Sequence, residues 1–348
     1  MITFNFLIII IGSYILNYLL LKYRLEIGKK FDIIDFPDLD RKKHYSPTPL
    51  VASFSIFLIF NLLILFQYRN EINIHLLIAS NFAFLVGFID DKKNLSYSIK
   101  FIIIFLFLLI FFSFSDIALI KFVYTETFNK VFYLNKIESI FFSSLCILLL
   151  INAFNLLDGI NSLAVTVVFI WFVFIGLIFK GNFSSILIYL LPILILKIYY
   201  IFKNFYFLGD SGSLFLGMIT SITIIEASNA SISSSKLISM ETIFILFMLP
   251  GIDMMRLFIF RIINKKNPFK PDRNHFHHYL IERFSLLKSL IIYSLLILAP
   301  ILISIFTDKD YLIILLFLCI YSYLIYFFRN FKYLIFNLLK NFSFKLSL

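Results

Sequence analysis

The sequence predicts an all-α, polytopic integral membrane protein of about 11 transmembrane helices (10–11), folded as one membrane-embedded domain over residues 1–348. Three observations predict it. Of the 348 residues, 61% are hydrophobic and only 15% charged, whereas soluble domains carry about 25% charged residues. That leaves too little polar surface to coat a water-soluble globule, which excludes a soluble enzyme, a disordered tail and a nucleic-acid-binding domain. Apolar runs close to the ~20 residues that span a bilayer as a helix recur along the whole chain. Finally, the basic residues segregate by loop.

The runs lie at about 2–21, 48–66, 74–89, 101–120, 139–156, 162–179, 183–202, 207–226, 240–260, 290–306 and 311–328. In the first, Lys22 and Arg24 follow the apolar stretch rather than precede it, and no small-residue cleavage site closes it. It reads as a retained helix with an external N-terminus, not a signal peptide. Alternate loops then hold 24 Lys and Arg on one side against 7 on the other, which sets the richer side in the cytoplasm and the C-terminus with it. The net charge of +11 is thus a matter of orientation, and no nucleic-acid partner is expected. Cys146 and Cys319 stand alone in apolar runs and read as packing residues, not as a disulfide or metal site.

The same map gathers Asp90, Asp91, Asp158, Asp210, Asp253, Asp272 and three histidines at cytoplasmic helix ends and loops. Helix centres hold almost no ionisable residue, whereas a transporter or proton relay needs charges at mid-depth. A catalytic face built from loops at about 22–47, 90–100, 157–161, 203–210 and 261–289 is the expectation.

Four constellations could carry chemistry there. In GFIDDKKNLSYSIK the adjacent Asp90 and Asp91 repel one another and favour a cation or Lys100 as partner; read alone, the stretch is also a charged loop that stops a helix. In NAFNLLDGINSLA the spacing of Asn152, Asn155, Asp158 and Asn161 by three predicts one polar helical stripe. In FLGDSGSLFLG, Asp210 opens a helix whose free N–H groups could face a phosphate beside a divalent cation, although an Asp there is equally an ordinary cap. The loop RIINKKNPFKPDRNHFHHYL collects His275, His277 and His278 among Arg and Lys residues, a set suited to phosphate oxygens.

In this order and on one face, IDFPDLDRKKHYSPTP, GFIDD with Lys100, NAFNLLDGIN, FLGDSGS and PDRNHFHH resemble the polyprenyl-phosphate N-acetylhexosamine-1-phosphate transferases. This is the MraY/WecA superfamily, glycosyltransferase family 4, and the resemblance is to its WecA-like branch. It covers about two thirds of the chain, from Asp35 to His278. It implies an inner-membrane, Mg2+-dependent enzyme (Mn2+ as a substitute) that moves N-acetylhexosamine 1-phosphate, GlcNAc-1-phosphate first, from a UDP-sugar to undecaprenyl phosphate. UMP is released, and the product begins a cell-envelope glycan such as O-antigen or teichoic acid. The partners implied are undecaprenyl phosphate, UDP-N-acetylhexosamine and the lipid bilayer, with room for a homodimer.

By position, the resemblance makes Asp90, Asp91, Lys100 and Asp158 catalytic, Asp90 acting on the lipid phosphate or as nucleophile. It makes Asn155 and Asp210 metal-contacting, and Phe207, Asn161, Arg273, His275, His277, His278, Lys43 and His44 substrate-binding. Departures stand at Val51 and Ala52, where the family has two glycines, at Asn161 in place of a second acid, and at Ser162 in place of a glycine. The segment before Asp210 also lacks the family's Asn and Pro. The alternatives are the phospho-N-acetylmuramoyl-pentapeptide transferase reaction, whose branch carries three consecutive histidines, and, from another class, a polytopic transporter or an inactive scaffold.

Overall fold

The computed structural model describes residues 2–37, 46–66, 71–178, 182–233, 237–268, 272–307 and 309–345. Helix α1 (Ile2–Phe31) leads to β1 (Ile34–Asp35), which pairs antiparallel with β2 (Thr48–Pro49). Then come α2 (Ala52–Phe66), α3 (Glu71–Lys93), α4 (Tyr97–Phe114) and a hairpin of β3 (Phe122–Thr125) with β4 (Lys130–Tyr133). Helix α5 (Lys136–Asn155) passes into a 3-10 turn (Leu156–Gly159), followed by α6 (Leu163–Ile178), α7 (Asn182–Phe202) and α8 (Gly209–Ala230). Helices α9 (Met240–Ile263), α10 (Phe276–Ile281), α11 (Leu286–Phe306) and α12 (Asp310–Lys345) complete the chain.

This is an all-α, multi-pass membrane protein. Among the described residues, eight helices are long and apolar enough to cross a membrane, and Ala52–Phe66, Leu163–Leu177 and Ile186–Phe202 are shorter apolar helices. Large side chains such as Leu106, Ile110, Leu295 and Leu315 are exposed along these helices. In water so many would form an adhesive patch; in a bilayer they are the lipid-facing surface.

Helix α8 is the axis of the bundle. Its residues from Ser211 to Ile225 are buried without interruption, and it packs against α3, α5, α2 and α6. Small residues permit the approach: a Cβ on Gly87 of α3 would lie 2.3 Å from the Asp210 carbonyl oxygen and 2.5 Å from Ser211 Cα. Ser53 of α2 meets Ser211, Oγ to Oγ, at 2.8 Å. The start of α2 is also pinned to the start of α8, because Phe207 N–H donates to Pro49 O at 3.0 Å and Ala52 N–H to Phe207 O at 3.1 Å. Val51 and Ala52 are both fully buried beside this join.

The eleven expected apolar runs each correspond to a helix, with three differences in detail. The first helix continues to Phe31, so residues 22–31 are helical rather than loop. The run expected to reach 120 stops at Phe114, where polar Ser115 and Asp116 interrupt it. The chain then forms the hairpin, whose turn is held by Glu241 accepting from the Glu126 and Thr127 amides at 3.1 Å each. Lys197, one of the 24 basic residues assigned to the cytoplasmic side, lies inside α7, fully buried, donating to Asn17 Oδ1 at 2.7 Å and to Tyr206 Oη at 3.2 Å.

Replacing Gly87 by alanine drives a methyl into backbone that cannot turn aside, so the thermal midpoint in detergent should fall by the equivalent of about 1–3 kcal/mol. Gly12→Ala, with nothing within 4 Å of its new Cβ, should leave the midpoint unchanged or slightly raised.

Candidate active site

Three helix ends meet at one buried cation. The Lys100 ammonium donates to Asp90 Oδ2 at 2.6 Å and to Asp210 Oδ2 at 2.8 Å, joining the first turn of α4, the last turns of α3 and the first turn of α8. Lys100 is 2% exposed and Asp90 6%. The other Asp90 oxygen, Oδ1, accepts the Leu95 N–H at 2.7 Å. Lys100 Nζ also lies 5.0 Å from the centroid of the Tyr97 ring.

Asp91 has a different task. Its two oxygens accept the Asp210 and Ser211 amides at 2.7 and 3.0 Å, so a carboxylate from α3 caps α8, where the helix dipole favours negative charge. Leu208, the residue at the cap position, provides no side-chain cap. The expectation that these free amides face a phosphate is therefore corrected: Asp91 occupies them. Gly209 makes room, since a Cβ there would stand 2.7 Å from Asp91 Oδ2, and its φ of +72° is one that glycine adopts without strain.

The polar stripe expected from Asn152 to Asn161 is not continuous. The helix ends at Asn155, and Asp158 sits in the 3-10 turn with φ −73° and ψ 17°, so each side chain takes its own partner. Asn152 Nδ2 donates back to Leu148 O at 2.7 Å. Asn155 Nδ2 donates to Asp210 Oδ1 at 2.6 Å and to Ser213 Oγ at 2.7 Å. Asp158 lies close to the Gly209 amide, whose dipole favours its carboxylate. Asn161 donates to Asn204, on the segment between α7 and α8, away from the carboxylates. Ser162 takes a left-handed φ of 68° and ties its Oγ to Ile198 O at 2.8 Å, which accounts for a glycine in the family at this point.

The histidine segment packs on the other side of the same turn. A Cβ on Gly159 would lie 2.8 Å from His277 Nε2 and 3.3 Å from His278 Cε1. The His275 and His277 rings stack with centroids 5.4 Å apart, and those of His277 and His278 are 4.3 Å apart. Both ring nitrogens of His277 and Nδ1 of His278 are buried without a hydrogen-bond partner. Burial, followed by the charges of His278 and His275, pushes the His277 ring well below its ordinary value, and burial with His275 and Arg273 pushes His278 down to about 4. Asp272 is raised by burial, yet the Asn274 amide and Arg261 hold it below the usual carboxylate range. Asp272 Oδ2 receives Arg261 Nε and Nη2 at 3.0 and 2.9 Å.

The structure thus brings Asp90, Asp91, Lys100, Asn155, Asp158 and Asp210 into one cluster, and sets His275, His277, His278 and the half-buried Arg273 beside it. Phe207 is half-buried two residues ahead of Gly209, whereas Lys43 and His44 lie outside the described residues. Sequence spacing missed Ser213 as the second partner of Asn155. It also missed Arg256 and Tyr321, which surround Asp253. An aspartate three residues ahead of an arginine on a largely apolar helix was the available signal for that pair.

The model of the family described as glycosyl transferase family 4 matches residues 73–228. The chain matches glycosyl transferase family 4. That stretch runs from α3 to α8 and so contains the whole carboxylate cluster and the Asn155 turn. Family 4 is also where the motif resemblance pointed. Curated relatives named undecaprenyl-phosphate alpha-N-acetylglucosaminyl 1-phosphate transferase extend the likeness. The Escherichia coli K12 protein is 25% identical over 297 residues, covering 78% of this chain and 76% of its own. The Thermotoga maritima protein is 27% identical over 278 residues, covering 80% and 83%.

Because His277 and His278 stay neutral when folded, the unfolded chain binds protons that the folded protein does not. Stability should be flat above the ordinary histidine value of 6.5 and decline as pH falls from there toward about 4. The thermal midpoint should accordingly be lower at about pH 5 than at about pH 7.5, and His278→Gln should shrink that difference.

Proposed function

We propose that the protein transfers N-acetylhexosamine 1-phosphate, GlcNAc-1-phosphate first, from a UDP-sugar to undecaprenyl phosphate at the cytoplasmic face of the bacterial inner membrane, and so begins a cell-envelope glycan. The observation that carries this reading is the buried Lys100 held between Asp90 and Asp210 with Asn155 at its mouth. The names of the family 4 relatives supply the reaction.

The chemistry is a displacement at phosphorus. An oxygen of the lipid phosphate forms a bond to the sugar-bearing phosphorus of the donor, the diphosphate bridge breaks, and UMP leaves with the bonding pair. Positioning and charge neutralisation do most of the work in such reactions, and an anionic nucleophile needs no strong base. Both Asp90 oxygens already accept hydrogen bonds, which favours direct attack by the lipid phosphate, with Asp90 and Asp91 setting the positions of Lys100 and α8. His277 and His278, with unpartnered nitrogens, and Arg273 would meet the anionic donor, and Phe207 would lie against its uracil.

The chemistry of this donor set suits a magnesium ion, although no three His, Cys, Asp or Glu side chains among the described residues already stand as a ligand group, and both Asp210 oxygens would exchange hydrogen bonds for the metal. Four carboxyl groups, Asp90, Asp91, Asp158 and Asp210, share the single Lys100 ammonium within the cluster. The Asp210 side chain is 31% exposed. Hard oxygen ligands in excess of positive charge suit Mg2+, which typically takes one or two carboxylates plus substrate phosphates. Asp210 and Asn155 would hold it, and its charge would reduce repulsion between the two anionic substrates.

Membranes carrying the protein, supplied with undecaprenyl phosphate, Mg2+ and UDP-GlcNAc, should release UMP and form a lipid-linked sugar diphosphate. Lack of turnover with every UDP-HexNAc donor, UDP-MurNAc-pentapeptide included, contradicts the proposal. Asp90→Asn and Asp210→Asn, correctly inserted, should each lower turnover by about 10²-fold or more, and EDTA should abolish it.

A further inference from the structure

Asp253 lies on α9, 3% exposed, outside the carboxylate cluster. Its carboxylate collects donors from three directions. Oδ2 pairs with His275 Nδ1 at 2.8 Å, and Oδ1 receives the Tyr321 hydroxyl of α12 at 2.6 Å and Arg256 Nη2 at 2.8 Å. The Phe276 N–H points at both oxygens, 3.2 and 3.1 Å away. Arg256 Nη2 also donates to Asn274 O at 2.6 Å, directly ahead of His275.

Two consequences follow from the chemistry of an acceptor-only group. A carboxylate against Nδ1 requires hydrogen on that nitrogen, which leaves Nε2 as the free position of the His275 ring. Phe276 is the first residue of α10, and His275 gives that helix no side-chain cap, so Asp253 supplies the acceptor for its first amide. One side chain therefore fixes the tautomer of His275 and the start of the short helix that carries His277 and His278. The His277 ring is stacked on His275, the His278 ring is tilted against both, and His277 and His278 face the Gly159 turn beside the carboxylate cluster.

We propose that Asp253 is a positioning residue for phosphosugar transfer, holding His275 protonated on Nδ1 and orienting the histidine cluster toward the donor diphosphate. This role rests on the transferase reading of the site. Asn is the informative replacement. Its carbonyl can still accept from Tyr321 and the Phe276 amide, but its NH2 would face Nδ1 and force the hydrogen of His275 onto Nε2. A shape-preserving change of this kind reverses a ring without emptying the space it fills.

The test combines ring spectroscopy with kinetics. The full-length protein, labelled with 15N at its five histidines and reconstituted in liposomes, is compared by NMR with Asp253→Asn, the His275 signals being identified by their loss in His275→Gln. The unsubstituted protein should show hydrogen on Nδ1 of His275, and Asp253→Asn should move it to Nε2. With UDP-GlcNAc and undecaprenyl phosphate, kcat of Asp253→Asn should fall by about tenfold or more, while the KM for donor changes far less. A bare Nδ1 in the unsubstituted protein overturns the role, and this measurement does not depend on Asp253→Asn folding. So does an Asp253→Asn protein that keeps hydrogen on Nδ1, or one whose ring reverses with kcat unchanged. An unsubstituted protein that turns over no donor sinks the transferase reading and this role with it, whereas the preceding results overturn the role alone.

Discussion

The ammonium of Lys100 between Asp90 and Asp210 is the contact on which the rest of the site depends. It brings together the ends of α3, α4 and α8. In a bilayer the drive to bury apolar surface between helices is weak, and polar contacts with close backbone approach set the register. Lys100 supplies the first and Gly87 permits the second, because both fix α3 against the start of α8. Asp91, one residue along, then closes the helix end. Adjacent carboxylates thus divide the labour: one orients a cation, the other caps a helix.

Around that contact the molecule holds an imbalance of charge that suits its substrates. The carboxyl groups outnumber the lysine on one side of the 3-10 turn, and neutral histidines with unpartnered nitrogens stand on the other. A diphosphate, with a divalent cation to meet the carboxylates and hydrogen-bond donors to meet its oxygens, satisfies both at once. The Leu156–Gly159 turn is the shared wall. Its glycine lets the His277 ring approach, and its Asp158 lies close to the Gly209 amide at the start of α8.

Much of this could be read from the residues. Runs of apolar side chains near bilayer length located every long helix, because hydrophobic length is a local property. The carboxylates and histidines were gathered by the loops they sit in, and the structure places most of them together. What spacing could not supply were contacts between distant segments. Asn155 to Asn161 reads as a stripe only if the helix continues. It does not, and the partners of Asn155 and Asn161 lie 55 and 43 residues away. The caps were equally hidden: Asp210 looks like a local cap for α8, yet Asp91, 119 residues earlier, does that work. The β3–β4 hairpin depends on Glu241, 115 residues beyond the turn amide it receives, and a four-residue strand leaves almost no periodic trace.

The most direct test of the central claim is Lys100→Met, measured for thermal unfolding in Mg2+-free detergent solution and for turnover with UDP-GlcNAc. The side chain keeps its length and loses its charge, leaving Asp90 and Asp210 facing one another. If Lys100 organises the helix ends, the midpoint should fall by the equivalent of about 3–5 kcal/mol, the cost of breaking a buried pair from one side, and turnover should be lost. An unchanged midpoint with turnover intact would contradict the account.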